Sequence, residues 1–240
     1  EAMRGLVYLA AMENDRINTA KSPEEAAGHA ARTGVYTPIV KGWITELAQE
    51  LTSHGIQIYG GMGFVEETGC AQHYRDARIT TIYEGTTAIQ ANDIVGRKTL
   101  ANNGETLAEL LSDIQATANE LNQQDGLADL GAALQTGVEA GSEARQWLLD
   151  HAGEDRNVAG AASVNYLMLL GYVCGGWVMA LSALKAKQLL DSGAGDGHFL
   201  KAKLVTAQFY YDHLMPRTLG YLSAIKSGSE SMMALDVEQF

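Results

Sequence analysis

The sequence predicts an all-α protein, on three observations. Apolar residues recur at helical spacing along most of the chain; long helical stretches alternate with short polar or glycine-containing connectors; and no segment reads as a strand-rich domain or a solenoid repeat. Long helix, short loop, long helix is the pattern of an up-and-down bundle. With 240 residues the chain is long enough to bury a substantial core, in one large or two modest domains.

The chain opens on Glu1 inside a helical pattern (Met3, Leu6, Val7, Ala10, Ala11), as expected for a piece of a longer polypeptide. Thr37 and Pro38 read as an N-cap with a first-turn proline behind it. The apolar positions Ile39, Trp43, Ile44, Leu47 and Leu51 then share one face of a helix expected to stop at His54-Gly55. "GIQIYGGMGF" follows, with four glycines, and reads as an irregular loop. The polar stretch from Glu66 to Arg78 predicts a short helix, "ITTIYEG" an extended or looped segment. Thr86 or Thr87 is expected to cap a helix reaching about Leu100, with Arg97 and Lys98 in its last turn.

"ANNGET", Ala101 to Thr106, is loop chemistry and marks the best boundary in the sequence. It predicts two domains, 1–100 and 101–240. Four helical stretches are expected beyond it, near 104–123, 127–151, 156–191 and 197–227, with Pro216 interrupting the last. Val158 to Leu184 carries no charge and is long enough to cross a bilayer, but it is diluted by glycine, alanine and serine. A buried core helix is the expectation, with no membrane span.

The net charge of −12, concentrated in residues 101–240, argues against a nucleic-acid-binding surface. Cys70 and Cys174 make no disulfide framework and no metal spacing; they read as free thiols in a reducing compartment. Glu25 with His29, and Glu50 with His54, are spaced i, i+4, unlike the Glu-x-x-His of two-metal bundles, so no metal is expected. "YGGMGF" is neither a P-loop nor a dinucleotide fingerprint, although its glycines would let backbone N–H groups approach an anion. "RDAR" (Arg75, Asp76, Arg78) reads as ion pairing between helices. Glu84 stands alone between Ile82-Tyr83 and Gly85. Desolvation would favour its protonated form and a nearby helix N-terminus its ionised form. Local spelling alone leaves both a general base and a dipole-compensating side chain open.

Together, "GIQIYGGMGF", "RDARI" and "IYEGT", in this order within Thr37 to Lys98, resemble the C-terminal helical domain of FAD-dependent acyl-CoA dehydrogenases. "AIQANDIVGRK", with residues 101–240, is similar to the long members that carry an extra C-terminal helical domain, the subgroup that includes methylthiopropionyl-CoA dehydrogenases. The resemblance implies a chain forming the C-terminal part of a roughly 600-residue enzyme. It implies that Glu84 removes the α-proton of an acyl-CoA thioester while the β-hydrogen passes as hydride to FAD N5. The Glu84 backbone N–H and a flavin ribityl hydroxyl would polarise the thioester carbonyl, and Gly85 would lie against the substrate. Gln57, Gly60 and Gly61 would contact the FAD of a neighbouring subunit, so at least a homodimer is implied. Thr86 and Thr87 would lie against FAD, whereas Ala88 departs from the polar or glycine residue expected there. A cytoplasmic enzyme passing electrons to electron-transfer flavoprotein is implied. The alternatives are an acyl-CoA oxidase, or a non-catalytic helical docking or oligomerisation module.

Overall fold

A computed structural model describes residues 1–239, and among them it contains helices and no strand. In order they are α1 (Ala2–Thr19), α2 (Pro23–Tyr59), α3 (Gly61–Phe64), α4 (Cys70–Ile79), α5 (Thr87–Gly96), α6 (Glu105–Asn122), α7 (Ala128–His151), α8 (Arg156–Asp191), α9 (Gly197–His213) and α10 (Arg217–Lys226).

The main correction concerns α2, a single helix of 37 residues with Pro38 inside it. Its start is Ser22-Pro23 rather than Thr37-Pro38. Ser22 Oγ accepts from Glu25 N at 3.2 Å, Glu25 Oε2 accepts from Lys21 N at 2.7 Å, and Pro23 occupies the first turn. Pro38 deprives the Gly34 carbonyl of its donor, a defect costing about 3 kcal/mol in a free helix. Burial of Tyr36, Ile39 and Trp43 around it, each worth about 1.5–3 kcal/mol, outweighs that cost. Nor does α2 stop at His54-Gly55. Gly55 stays helical at a close approach to α4, where an added Cβ would lie 3.8 Å from Cys70 Sγ. Gly60, at φ 61°, is the actual stop.

Further corrections follow downstream. "GIQIYGGMGF" is helical except at the Gly60 break. α5 ends at Gly96 rather than Leu100, because the Arg97 and Lys98 N–H groups both turn back to Asp93 O, at 3.0 and 3.2 Å. Arg97 is thus the C-cap, paired with Asp93 at 2.7 Å. The remaining helices fall where the sequence puts them. Asn103 and Gly104 both take left-handed conformations in the connector, and Arg145 donates to Asn103 O at 3.0 Å. α9 and α10 part at Leu214–Pro216.

Helix α8, uncharged from Val158 to Leu184, is the axis of the molecule. It passes the length and composition test for a membrane span, yet 78% of its apolar window is buried in the protein. α1, α2 and α5 pack on it from one stretch of the chain, α6, α7, α9 and α10 from the other, around one continuous core. The contact works by glycine facing a large side chain. A Cβ on Gly171 would sit 2.1 Å from Trp43 Cγ, one on Gly175 2.6 Å from Trp43 Cη2, and one on Gly42 2.5 Å from Leu167 Cδ2. Arg217 of α10 adds a polar tie: it grips Glu50 of α2 with two bonds of 2.7 and 2.8 Å and donates to Tyr172 Oη at 2.7 Å.

Two outcomes are expected. Gly171→Ala should destabilise the chain by about 1–3 kcal/mol through overpacking against Trp43, whereas exposed Gly160, whose Cβ would meet nothing within 4 Å, should gain about 0.5–1 kcal/mol as alanine. Urea unfolding measures both, and a neutral Gly171→Ala would refute the packing described. Secondly, the hydrogen bonds from Arg217 hold the Glu50 carboxyl below its ordinary value of 4.5. A carboxylate shifted down contributes stability that is present above that value and lost as pH falls through the lowered one. Unfolding free energy measured from about pH 5 to 3 should therefore fall more steeply in the wild type than in Arg217→Met; parallel curves would contradict it.

Candidate active site

Every residue singled out from the sequence lies on α2 or on elements packed against it. Gln57 is exposed in the last turn of α2, and its carbonyl accepts from Gly60 N at 3.1 Å. At Gly60 and Gly61 an added Cβ would project into open space, so a flat ligand can approach the backbone on that side, while the Gly60 carbonyl accepts from Gly63 N at 2.9 Å. Gly63 is different: its Cβ would lie 2.3 Å from Ile56 O, so α3 folds flat onto the end of α2 only with glycine there. The helix end carries exposed apolar side chains, Ile58 at 84% and Phe64 at 79%, with Tyr59 and Met62 beside them.

The "RDAR" cluster departs from the inter-helix pairing expected. Arg75 pairs at 2.7 Å with Glu66, in the short 3-10 turn Glu66–Thr68 just before α4, and Arg78 donates to Thr81 Oγ1. The cluster closes its own end of the chain, because α4 is short and its neighbours in sequence lie within reach. No group of His, Cys, Asp and Glu among the described residues has metal-holding geometry, and both cysteines are free. Burial pushes the Cys174 thiol up to about 12, so it stays protonated and inert.

Glu84 sits in the turn between α4 and α5. Its φ is 52°, in the left-handed region uncommon for a non-glycine residue, and Gly85 follows at 97°. Two successive positive φ values reverse the chain and leave the Glu84 side chain exposed, beside the half-exposed Ile82, Tyr83 and Ile89. Neither its carboxylate nor its backbone N–H has a hydrogen-bond partner among the described residues. Thr86 is the N-cap of α5, accepting from Ile89 N at 3.3 Å. Thr87 Oγ1 donates to Glu46 of α2, so its proton is committed while its lone pairs remain. Ala88 is exposed. No hydrogen bond joins the Gln57–Gly61 segment to the Glu84 turn among the described residues.

Sequence reasoning missed Lys41 and Glu46. Lys41 Nζ donates to Thr80 O and lies 4.9 Å from the Tyr83 ring centroid. Their partners lie 39 and 41 residues further on, and nothing in local periodicity signals such pairings.

Two family models cover nearly the whole chain: the acyl-CoA dehydrogenase C-terminal domain matches residues 1–99, and the acetyl-CoA dehydrogenase C-terminal-like domain matches residues 91–236. The chain belongs to the acyl-CoA dehydrogenase family. It is made of that family's C-terminal domains, and the motifs at Gln57–Gly61 and Tyr83–Thr86 fall in the first of them. The chain is 45% identical to the 3-methylmercaptopropionyl-CoA dehydrogenase of Ruegeria pomeroyi over 88% of its own length and 36% of the relative's. It is 30% identical to a butyryl-CoA dehydrogenase of Syntrophomonas wolfei over 100% of its length and 40% of the relative's. The chain therefore spans well under half of these relatives. A crystal structure of a Bacillus anthracis acyl-CoA dehydrogenase complexed with FAD superposes with a TM-score of 0.71 over 93% of this chain and 39% of the other, at 22% identity, which establishes the shared helical fold.

Gly63→Ala should lower the unfolding free energy by about 1–3 kcal/mol, because the obstacle is backbone and cannot rotate away. Unchanged stability in urea would show that α3 is not held against α2 as described.

Proposed function

We propose that this chain is the C-terminal part of a flavin-dependent acyl-CoA dehydrogenase in which Glu84 is the base. Residues 1–100 would form the domain bearing the catalytic turn, and 101–240 the extra helical domain. The observation that carries this reading is the Glu84 turn itself. In a chain of this family, one exposed residue among apolar side chains leaves both its carboxylate and its N–H without a hydrogen-bond partner among the described residues, in a conformation that costs backbone strain.

The unobstructed backbone at Gly60 and Gly61, the exposed Gln57 and the Thr86 hydroxyl at the N-terminus of α5 fit a large, partly planar, anionic cofactor such as FAD. Gln57, Gly60, Gly61, Thr86 and the free lone pairs of Thr87 would hold it. When bound, FAD supplies a hydride acceptor for the β-hydrogen of the acyl chain. Glu84 accepts the α-proton on one carboxylate oxygen. Its own N–H, without an acceptor among the described residues, donates to the thioester carbonyl and stabilises the negative charge that develops as the α C–H bond breaks. Gly85 would lie against the substrate; the place a Cβ would take there is filled by Gln90, whose Nε2 would be 2.7 Å away. Ile82, Tyr83 and Ile89 supply apolar walls that exclude water once the surface is covered.

The exposed apolar side chains at Ile58, Tyr59, Met62 and Phe64 support a further covering surface, and a homodimer follows from this reading. Electron-transfer flavoprotein is the redox partner it implies, in the cytoplasm. The 45% identity to a 3-methylmercaptopropionyl-CoA dehydrogenase makes a methylthio-acyl-CoA the first substrate to compare with straight-chain ones.

Anaerobic addition of acyl-CoA to the full-length FAD enzyme should bleach the flavin. Glu84→Gln should retain FAD and bleach about 10²–10⁴ times more slowly, the range a positioned general base supplies. Bleaching at the wild-type rate would rule out Glu84 as the base.

A further inference from the structure

We propose that Lys41 is a positioning residue for the Glu84 turn, acting with Glu46 as a two-point brace; this rests on the reading of Glu84 as the base. The turn from Thr80 to Thr87 holds itself by short-range bonds only. Thr80 N reaches Ala77 O at 3.1 Å, Ile82 N and Tyr83 N reach Ile79 O at 3.0 and 3.1 Å, and Thr87 N closes on Thr81 O at 3.2 Å. None of these fixes the turn relative to the rest of the protein. Among the described residues, the hydrogen bonds that do so both come from α2: Lys41 to the Thr80 carbonyl at its start, and Glu46 to the Thr87 hydroxyl at its end.

The two attachment points flank Glu84 on either side, four residues before it and three after. Lys41 adds a second grip, because its ammonium also lies over the ring of Tyr83, the residue immediately preceding the carboxylate. Both Lys41 and Glu46 are half-buried, so these bonds are partly shielded from water. Glu84 holds a positive φ, strained for a non-glycine residue, that relaxes readily unless the surroundings over-determine it. A brace at both ends supplies that over-determination, and it fixes where the carboxylate stands relative to α2 and its glycine end. Displacement of a reacting group by about 1 Å costs on the order of 10²-fold in rate.

The test is flavin reduction by acyl-CoA in the full-length holoenzyme, under anaerobic single-turnover conditions. Lys41→Met should reduce flavin about 10–100-fold more slowly at saturating acyl-CoA, with the half-saturating concentration, FAD content and melting temperature at wild-type values. Lys41→Arg, which can still donate to Thr80 O and stack on Tyr83, should recover most of the rate. Glu46→Gln gives an independent arm with a smaller slowing, because the amide oxygen still accepts from Thr87, and it serves if Lys41→Met fails to fold. Wild-type reduction rates in Lys41→Met and Glu46→Gln would overturn the brace, as would slowing that tracks loss of FAD or is not rescued by arginine. If Glu84→Gln is inert and the Lys41 variant is normal, the brace alone fails. If Glu84→Gln itself reduces normally, the base assignment fails and the brace with it.

Discussion

The structure depends on the seating of Trp43 in the glycine groove of α8. Trp43 is fully buried, and Gly171 and Gly175 are the positions that let its ring come down onto the helix backbone. The ring meets Tyr172 edge-on at 5.6 Å, and Tyr172 in turn receives Arg217 on its hydroxyl and, at 5.5 Å, on its face. The indole N–H has no hydrogen-bond partner among the described residues, a cost of about 1–3 kcal/mol that burial of the large ring has to offset. Gly42 receiving Leu167 repeats the device in the opposite direction. Two helices that approach this closely fix each other's rotation, so the direction in which α2 leaves the core is set by α8.

That direction matters because α2 is the carrier of the site. At 37 residues it extends about 55 Å at the usual rise per residue. Its buried middle binds the core, its next face holds the Glu84 turn through Lys41 and Glu46, and its free end presents the glycines. Arg217 clamps Glu50 between those last two features. Residues 101–239 thereby bear on the geometry of a turn to which no hydrogen bond joins them among the described residues, by holding the helix from which the turn is braced.

Much of the fold was legible because its signals are local. The Asn-Asn-Gly connector parts α5 from α6, Pro216 parts α9 from α10, and the uncharged run of α8 marks the buried axis. Thr86 as an N-cap was legible for the same reason. The errors arose where tertiary contact overrides a local signal. Pro38 reads as a helix start and is carried inside one by the burial around it; Gly55 reads as a stop, yet α2 runs through it to Tyr59 while packed along α4. At the site, motif order pointed to Glu84 and the glycines, but Lys41 and Glu46 stayed silent because their partners are distant in sequence. The positive φ of Glu84 was equally unreadable, since nothing in a glutamate side chain favours the left-handed region.

The central claim is that Glu84 moves the α-proton of an acyl-CoA, and proton movement can be followed separately from hydride transfer. An acyl-CoA such as 3,3-dimethylbutanoyl-CoA has α-hydrogens but no β-hydrogen, so the reaction cannot proceed past the first step. Incubated with the full-length FAD enzyme in deuterated water, it should take up deuterium at the α-carbon, read by mass spectrometry, and the uptake should vanish in Glu84→Gln. Equal uptake in both enzymes would contradict the account.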